Sequence, residues 1–190
     1  MTRETDEQLI ERILRHDQHA MTALVERHKD RAYTLALRIL AHEMEAEEAL
    51  QDAFLRCFKG LASFDKRARF STWFYRIVYN VCLTRRSKLK NSQEAETTSD
   101  LSEIETRAGD LSSDATLLME ECSLSIEAAI RRLPDHLRTI VTLFYTQEMS
   151  YEEIVLVTGM PLGTVKTHLF RARTALKKML AKEFQPEELV

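Results

Sequence analysis

The chain has 190 residues, of which 44% are hydrophobic, 30% charged and 7% aromatic, and its formal net charge at pH 7 is −3. This apolar content excludes a wholly disordered chain, and four Gly and three Pro argue against a turn-rich β protein, a collagen-like chain or a Gly-rich phosphate binder. Three scattered Cys imply no disulfide framework, no apolar run approaches the ~18 residues that span a bilayer, and the first six residues do not resemble a secretory signal, so we expect a soluble helical protein of a reducing compartment.

Charge is distributed unevenly along the chain. Residues 59–90 hold nine Lys and Arg and one acid, residues 91–121 hold nine acids and one Arg, and residues 162–182 hold six bases and no acid. Two basic tracts separated by an acidic segment predict two surfaces for a polyanion. We therefore predict an N-terminal domain over 1–90, a flexible acidic linker over 91–121 and a C-terminal domain over 122–190.

The first domain opens with two predicted helices. Thr5 and Gln8 have the spacing of a capping box, which predicts a first helix through about Arg15. A second helix is indicated by one stripe at helical spacing, made of Met21, Leu24, Val25, His28, Ala32, Leu35, Ala36 and Ile39. Because His28 lies on this stripe, we interpret it as a packed histidine and not as a metal ligand.

The third predicted helix runs from about Glu45 to Leu61 and has two distinct faces. Its core face contains Ala46, Ala49, Leu50, Ala53, Phe54, Cys57, Phe58 and Leu61. Its opposite face contains Glu48, Gln51, Asp52, Leu55 and Lys59. Leu55 is therefore an apolar residue among polar neighbours, and it is either an ordinary exposed leucine or the anchor of a protein partner.

The segment Phe64–Lys90 interleaves aromatic and basic residues. Ser71 is a reasonable N-cap for a helix that runs to Arg85 or Arg86. On that helix the core side is predicted to hold Trp73, Phe74, Ile77 and Val81, and the other side to hold Tyr75, Arg76, Tyr79 and Asn80. Exposed aromatic rings beside Arg and Asn suit unpaired bases, which predicts binding to melted or flipped DNA. An alternative stays open, in which these aromatic side chains only fill a small core.

The second domain is predicted to contain a helix-turn-helix. Apolar stripes over Glu121–Leu133 and Leu137–Tyr145 indicate two scaffold helices, Ser150 and Glu153 form a capping box for a short helix, and Gly159 suits the left-handed turn after it. A long helix follows from about Gly163 to Lys182, with its inward face at Val165, Leu169, Ala172, Leu176 and Leu180. Its outward face is polar and basic, which favours a major-groove reader over a merely solvated helix.

Three motifs in this order resemble the extracytoplasmic-function (ECF) sigma factors of bacterial RNA polymerase, in the sigma-70 family. EAEEALQDAFLRCFKG resembles the helix that binds the polymerase clamp, FSTWFYRIVYNVC the promoter-melting and −10-reading helix, and SYEEIVLVTGMPLGTVKTHLFRARTALKKML the −35-reading helix-turn-helix. The resemblance covers about residues 6–90 and 121–184. It implies an all-α protein of two small helical domains joined by the acidic linker.

The resemblance also implies three sets of contact residues. Polymerase docking falls to Glu48, Gln51, Asp52, Phe54 and Leu55, with Phe54 supporting the helix from inside. Capture of −10 bases falls to Phe64, Lys66, Arg67, Arg69, Trp73, Arg76 and Asn80, to which the stacking interpretation adds Tyr75 and Tyr79. Reading of the −35 duplex falls to Lys166, Thr167, Phe170, Arg171, Arg173 and Lys177, whereas at His168 an Arg is the more familiar residue.

The partners implied by the resemblance are the clamp and flap elements of core polymerase, promoter DNA and an anti-sigma factor, often membrane-bound. The expected location is the cytoplasm, on the nucleoid when active or at the inner membrane when held by such an inhibitor. We expect no catalytic residue, metal or cofactor, because the chain has no Walker loop, no paired-His helix and no H-x-E…C-x-x-C pattern.

Three alternatives belong to other functional classes. A response-regulator-like protein would share the helix-turn-helix but would bind its operator without polymerase. An enzyme acting on nucleic acid would need metal ligands or a nucleophile–base pair. A polymerase-binding inhibitor would not need the basic recognition helix.

Overall fold

The computed structural model describes residues 4–95 and 114–183, and all regular secondary structure in these ranges is helical. The helices are α1 (Asp6–Ile13), α2 (Gln18–Leu40), α3 (Glu43–Gly60), α4 (Phe70–Ala95), α5 (Asp114–Arg131), α6 (Asp135–Val141), α7 (Tyr151–Thr158) and α8 (Leu162–Glu183). A 3₁₀ turn at Leu61–Ser63 follows α3, and a π-helical turn at Thr142–Thr146 follows α6. The all-α prediction is confirmed. No helix within the described ranges is long and apolar enough to cross a membrane.

The predicted capping boxes start the helices where the sequence places them. The Thr5 amide donates to Gln8 Oε1 at 2.8 Å, and the Gln8 amide donates back to Thr5 Oγ1 at 3.3 Å. Ser150 and Glu153 exchange the same pair of bonds at the start of α7. Each box satisfies two amides that the first helical turn leaves without a partner. The Ser71 cap is wrong, because α4 begins at Phe70 and Ser71 lies inside its first turn.

Helical structure extends into the predicted linker from both sides. Helix α4 continues to Ala95, beyond the expected end near Arg85, and α5 begins at Asp114 instead of Glu121. Few Gly or Pro interrupt these stretches, and their Lys, Gln, Glu, Leu and Met residues are good helix formers. The middle of the linker lies outside the described residues.

The first domain packs α2, α3 and α4 around small and aromatic side chains. Fully buried alanines occur where the helices approach one another, at Ala20, Ala32, Ala36, Ala46, Ala49 and Ala53. The space they leave is filled by rings: Phe74 lies 4.7 Å from Phe54 and 5.8 Å from Phe70, between ring centroids. His28 is buried and meets Phe70 edge-on at 5.2 Å, which confirms its prediction as a packed histidine. Met21, predicted on the same stripe, is instead exposed at the start of α2.

The second domain does not have a separate core throughout. Leu133, Leu137 and Val141 form a small cluster with Ala172 of α8. The remaining buried side chains of α6–α8 join the core of the first domain in one continuous apolar cluster, to which they contribute Ile140, Leu143, Met149, Ile154, Val157, Val165 and Leu169. Helix α7 packs along α4, and α6 packs on α2. The two domains therefore share buried apolar surface.

Asp6 ties the start of α1 to α2. Its carboxylate accepts from Arg27 Nη1 at 2.7 Å and contacts His28 Nε2 at 3.0 Å. Burial by itself would raise the pKa of Asp6, but the interactions with His28 and Arg27 outweigh it and lower this pKa below its usual value. The ionised carboxylate consequently favours the folded state.

We expect Asp6→Asn to reduce the free energy of unfolding by about 1–2 kcal/mol at pH 7, because the shared acceptor loses its charge. A carboxyl whose pKa is lower in the folded state stabilises the protein above its unfolded-state pKa of about 4, and this advantage disappears as the pH falls through the folded-state value. Urea denaturation between pH 7 and pH 3 measures the loss of unfolding free energy, and Asp30→Asn, at an exposed aspartate, is the control. A loss of unfolding free energy that is equal at pH 7 and at pH 3 would contradict the prediction.

Candidate functional site

The outward face of α3 presents the predicted docking residues. Glu48 and Gln51 are exposed, and 58% of Leu55 is accessible to solvent. Phe54, on the opposite side, is buried and packs on Phe74, so it supports α3 from inside and presents no ring to a partner. The remaining face combines one exposed leucine with acidic and amide side chains.

Arg85 of α4 organises the acidic side chains of this face. Its Nη1 donates to Glu45 Oε2 at 2.9 Å and to Glu48 Oε2 at 2.8 Å, and its Nη2 donates to Asp52 Oδ2 at 3.2 Å. Desolvation alone would lower the pKa of Arg85, but these three hydrogen bonds raise it. One cation among three carboxylates leaves the face with excess negative charge. Sequence spacing does not predict this contact, because it cannot pair residues on two different helices.

The basic loop before α4 is folded against the first domain. Phe64 is half-buried and lies 5.2 Å from Trp73, between ring centroids. Lys66 has a positive φ of 59° and bonds to Glu11 at 2.9 Å, and Arg67 pairs with the neighbouring Asp65. Arg69 is exposed. These ion pairs are at the surface and each is worth only about 0–1 kcal/mol, so a polyanion competes with them readily.

Helix α4 presents fewer aromatic rings than the sequence predicts. Arg76 and Asn80 are exposed and Trp73 is half-buried, which leaves these three side chains near the outer surface. The exposed stacking positions expected for Tyr75 and Tyr79 are wrong: the two rings are 2% and 7% exposed. Burial raises the pKa of Tyr75 to about 12. Helical periodicity assigned α4 a single core face, whereas α4 is packed by α2 and α3 on one side and by α7 on the other.

Polar contacts between the domains surround this packed region. Thr72 Oγ1 donates to Glu153 Oε1 at 2.9 Å, and Gln147 Nε2 donates to the Arg31 carbonyl at 2.8 Å. Arg86 pairs with Asp135 at 3.2 Å. Glu153 thus caps α7 and also receives a hydrogen bond from α4. We call these contacts together with the α4–α7 packing the interdomain clasp.

Helix α8 follows the predicted turn, and its outer face is exposed to solvent. Gly159 has a φ of 72°, the left-handed conformation that a residue without a Cβ adopts at low cost. Val165, Leu169 and Ala172 are buried as predicted, whereas Leu176 and Leu180, predicted on the same face, are half-buried. The outer face is exposed at Lys166, Thr167, Phe170, Arg171, Arg173 and Lys177. With 71% of its surface accessible, Phe170 is the most exposed large apolar side chain in the described ranges.

Arg173 differs from the other basic residues of α8. Its Nε donates to the Tyr145 hydroxyl at 2.8 Å, and its guanidinium lies 5.3 Å from the centroid of the Phe144 ring. Hydrogen bonding to Tyr145 raises the pKa of Arg173. This side chain is therefore held against the turn before α7, while Lys166 and Arg171 project from the helix.

The chain matches two family descriptions in the order of its domains: Sigma-70 region 2 over residues 24–92, and Sigma-70, region 4 over residues 123–176. Together with the helix-turn-helix, these matches define a two-domain protein of the sigma-70 class. It is 37% identical over 177 residues to the ECF RNA polymerase sigma factor SigW of Bacillus subtilis, covering 90% of this chain and 94% of SigW. The chain belongs to the ECF RNA polymerase sigma factors.

A second relative agrees with this assignment, and two solved structures share the fold. The RNA polymerase sigma-H factor of Pseudomonas aeruginosa is 32% identical, with 95% of this chain and 96% of that protein aligned. The fold is shared with the sigma factor RpoE of Bartonella quintana, solved with the anti-sigma factor NepR, at a TM-score of 0.67 and 18% identity over 84% of this chain and 96% of that one. It is also shared with CnrH, solved with the cytosolic domain of CnrY, at a TM-score of 0.64 and 21% identity over 94% and 99%.

We expect Thr72→Val to loosen the interdomain clasp while preserving the shape of the side chain. A hydrogen bond to a charged acceptor contributes about 1.5–3 kcal/mol, so the ratio of separated to associated domains should rise about tenfold or more. Single-molecule FRET between dyes on α1 and α8 measures this ratio. Thr34→Val is the control, because Thr34 donates to the Asp30 carbonyl of its own helix and bonds to no other described residue. Identical FRET distributions for the two variants would show that the Thr72 contact does not hold the domains together.

Proposed function

We propose that this sigma factor divides promoter recognition between its domains as the resemblance implies. Residues 1–90 bind core polymerase and capture the −10 element, residues 122–190 read the −35 duplex, and residues 91–121 connect them. The observation that carries the proposal is the presence of separate exposed faces on α3, α4 and α8 with chemistry suited to those three targets. The chain contributes no catalytic group, and polymerase performs the chemistry.

Docking to the polymerase clamp uses the outer face of α3. Leu55 supplies apolar contact, and Glu48, Gln51 and Asp52 supply acceptors for a basic partner surface. Arg85 holds the acidic side chains in fixed positions, which reduces the conformational entropy lost on binding. The excess of carboxylates over guanidinium leaves the face attractive to cations.

Capture of the −10 element uses the basic loop and the exposed part of α4. Trp73 is half-buried and packs on Phe64 of the loop, Arg76 contacts phosphate, and Asn80 reads a base edge. Arg69 lies 3.9 Å from Glu153, so the clasp places a carboxylate of α7 beside this surface. Separation of the domains removes that negative charge and gives single-stranded DNA access to the loop and α4.

Reading of the −35 element uses the outer face of α8 in the major groove. Lys166 and Arg171 donate to phosphates or base edges, and Phe170 contacts a thymine methyl group. Arg173 and Lys177 bind the flanking backbone. Arg173 does so either after it releases the Tyr145 hydroxyl or while it keeps that hydrogen bond. The flap of polymerase holds this domain at the required distance from the −10 element.

Control by an anti-sigma factor follows from the same surfaces. Among the solved structures that share the fold, the sigma factor RpoE is bound to the anti-sigma factor NepR, and CnrH is bound to the cytosolic domain of CnrY. An inhibitor that covers the α3 face or retains the interdomain clasp would prevent promoter opening. We place the active factor in the cytoplasm on the nucleoid, and the inhibited factor with its inhibitor, at the inner membrane where that inhibitor is membrane-bound.

We expect Leu55→Asp to weaken binding to core polymerase about tenfold to a hundredfold, because it replaces buried apolar contact with a charge. Anisotropy of the labelled full chain titrated with core polymerase measures the affinity. Leu14→Asp is the matched control, since 49% of Leu14 is exposed at the end of α1. The test does not also reverse the charge at Asp52, because an arginine at that position would face Arg85 and repel it. Equal affinities for both variants would remove the docking role of this face.

Asn80→Ala and Arg171→Ala should have separate effects on promoter choice. We expect Asn80→Ala to flatten base preference in the −10 element with −35 preference unchanged, and Arg171→Ala to weaken −35 binding by about 1–3 kcal/mol with −10 preference unchanged. Transcription from a randomised promoter library by core polymerase reconstituted with each variant reports both preferences. Loss of polymerase affinity in either variant, or an unchanged −35 profile for Arg171→Ala, would refute the corresponding assignment.

A further inference from the structure

Four ion pairs that cross between the two domains in the described ranges share one polarity. Their cations are arginines of the first domain and their anions are carboxylates of the second, in the pairs Arg31–Glu148, Arg38–Glu127, Arg69–Glu153 and Arg86–Asp135. We call these four pairs the charged rim. Each side of the contact between the domains therefore presents a single sign of charge.

The charged rim accompanies an apolar contact. Helix α7 packs along α4 and α6 packs on α2, and buried side chains of both domains join in one cluster. Two of the arginines lie on α2, one directly precedes α4 and one lies in the second half of α4. Charges placed in this way govern the choice of partner and the salt dependence more than the raw affinity. A polyanion can compete with the second domain for these arginines.

Arg38 shows what the carboxylates of the second domain supply. Its side chain is only 13% exposed, and its guanidinium pairs with Glu127. Burial and the positive charges of Arg131 and Arg138 lower the pKa of Arg38. Glu127 thus compensates a largely buried cation, and removing one partner of such a pair is destabilising because the other charge is left without compensation. The clasped arrangement depends on the negative charge at this point.

The arginine side of the rim continues into basic residues that are already exposed. Arg69 belongs to the loop before α4 and has 78% of its side chain accessible to solvent, and the exposed Arg76 follows on α4. Residues 59–90 contain nine Lys and Arg and one acid. An extended surface of one sign attracts an extended polyanion, which gains from many phosphate contacts at once. Nucleic acid is the partner that this chemistry favours.

We infer that the first-domain arginines of the charged rim bind the phosphate backbone of single-stranded nucleic acid, and that the second domain is a built-in competitor which nucleic acid displaces. The inference rests on the proposed −10 role of the loop and α4, and it adds what opens the interdomain clasp. The clasp thereby limits binding of the free factor to nucleic acid of any sequence.

This competition links two measurable quantities. Only separated molecules offer all four arginines, so the apparent affinity for nucleic acid is the affinity of the separated state reduced by the separated fraction. While most molecules are clasped, a change that weakens the clasp from the second-domain side must raise this affinity by the same factor as the ratio of separated to clasped molecules.

The test uses full-chain variants and a single-stranded DNA of mixed sequence without promoter elements, at one low salt concentration. Single-molecule FRET between dyes on α1 and α8 gives the ratio of separated to clasped molecules, and anisotropy of labelled DNA with unlabelled protein gives the affinity. Glu127→Gln should raise both quantities about tenfold. Glu152→Gln, at an exposed glutamate of the same domain, changes the net charge equally outside the rim and should leave both unchanged.

Arg38→Gln tests the polarity of the rim. It breaks the same ion pair from the first-domain side and also removes a cation from the DNA surface. At an equal separated fraction it should therefore bind DNA more weakly than Glu127→Gln. Saturating DNA should raise the separated fraction of the wild type, whereas an uncharged peptide nucleic acid of the same sequence should leave it unchanged.

DNA that binds the wild type without changing its FRET distribution would overturn the inference, and so would equal DNA affinities of Glu127→Gln and Glu152→Gln. Polyglutamate that opens the clasp as far as DNA does would overturn the choice of nucleic acid as the partner. Thr72→Val keeps this inference separate from the proposed function. If DNA binds neither this variant nor Glu127→Gln, the −10 role of the first domain fails, whereas DNA binding without separation removes only the competition.

Discussion

Burial of α4 on two sides is the constraint on which the rest of the molecule depends. Phe70 and Phe74 fill the space between α2 and α3, while Thr72 bonds to the start of α7. A helix packed in this way has little free surface, so Arg76 and Asn80 stand out as exposed polar side chains in its first half. The chemistry available for unpaired bases is thereby set by packing as much as by the composition of the segment.

The interdomain clasp combines an apolar contact with polar bonds of unequal strength. Arg86–Asp135 is partly exposed, and surface ion pairs of this kind contribute about 0–1 kcal/mol. The Thr72–Glu153 bond is more sheltered, because Thr72 is buried. Glu153 has a second use in the cap of α7, so the helix start and the domain contact depend on one carboxylate. Substitutions at Glu153 would change both, which makes Thr72 the cleaner position for studying the contact.

Local signals predicted the fold where the relevant contacts are local. Capping boxes at Thr5 and Ser150 and the buried stripe of α8 depend on residues three or four apart, and all are found in the structure. The Ser71 cap failed although it is a local signal, whereas the failures on α4 involve contacts between distant parts of the chain. Tyr75 and Tyr79 were predicted as exposed because a periodic pattern cannot indicate that a second element packs on the opposite side of a helix.

For the candidate surfaces too, features set by local contacts were predictable from the sequence, and features set by contacts between helices were not. The sequence indicated the outer face of α8 correctly, since exposure there is the complement of a local apolar stripe. It did not indicate that Arg85 gathers the acids of α3 or that Arg173 rests on Tyr145, because both contacts join different helices. Long basic side chains are especially difficult to place from sequence, since they have many rotamers and bind whichever acceptor the fold brings near.

The clasped arrangement affects the three candidate surfaces unequally. Leu55 on α3 and Phe170 on α8 are both well exposed while α7 lies against α4. In the roles that we propose for these two faces, contact with polymerase and with an intact duplex therefore does not require the domains to separate. Capture of unpaired bases differs, because Glu153 stands beside Arg69 and would repel a phosphate there. In the function that we propose, the fold thus separates binding from melting: the surfaces for the first are open from the start, and the surface for the second becomes favourable to DNA only when α7 moves away from α4.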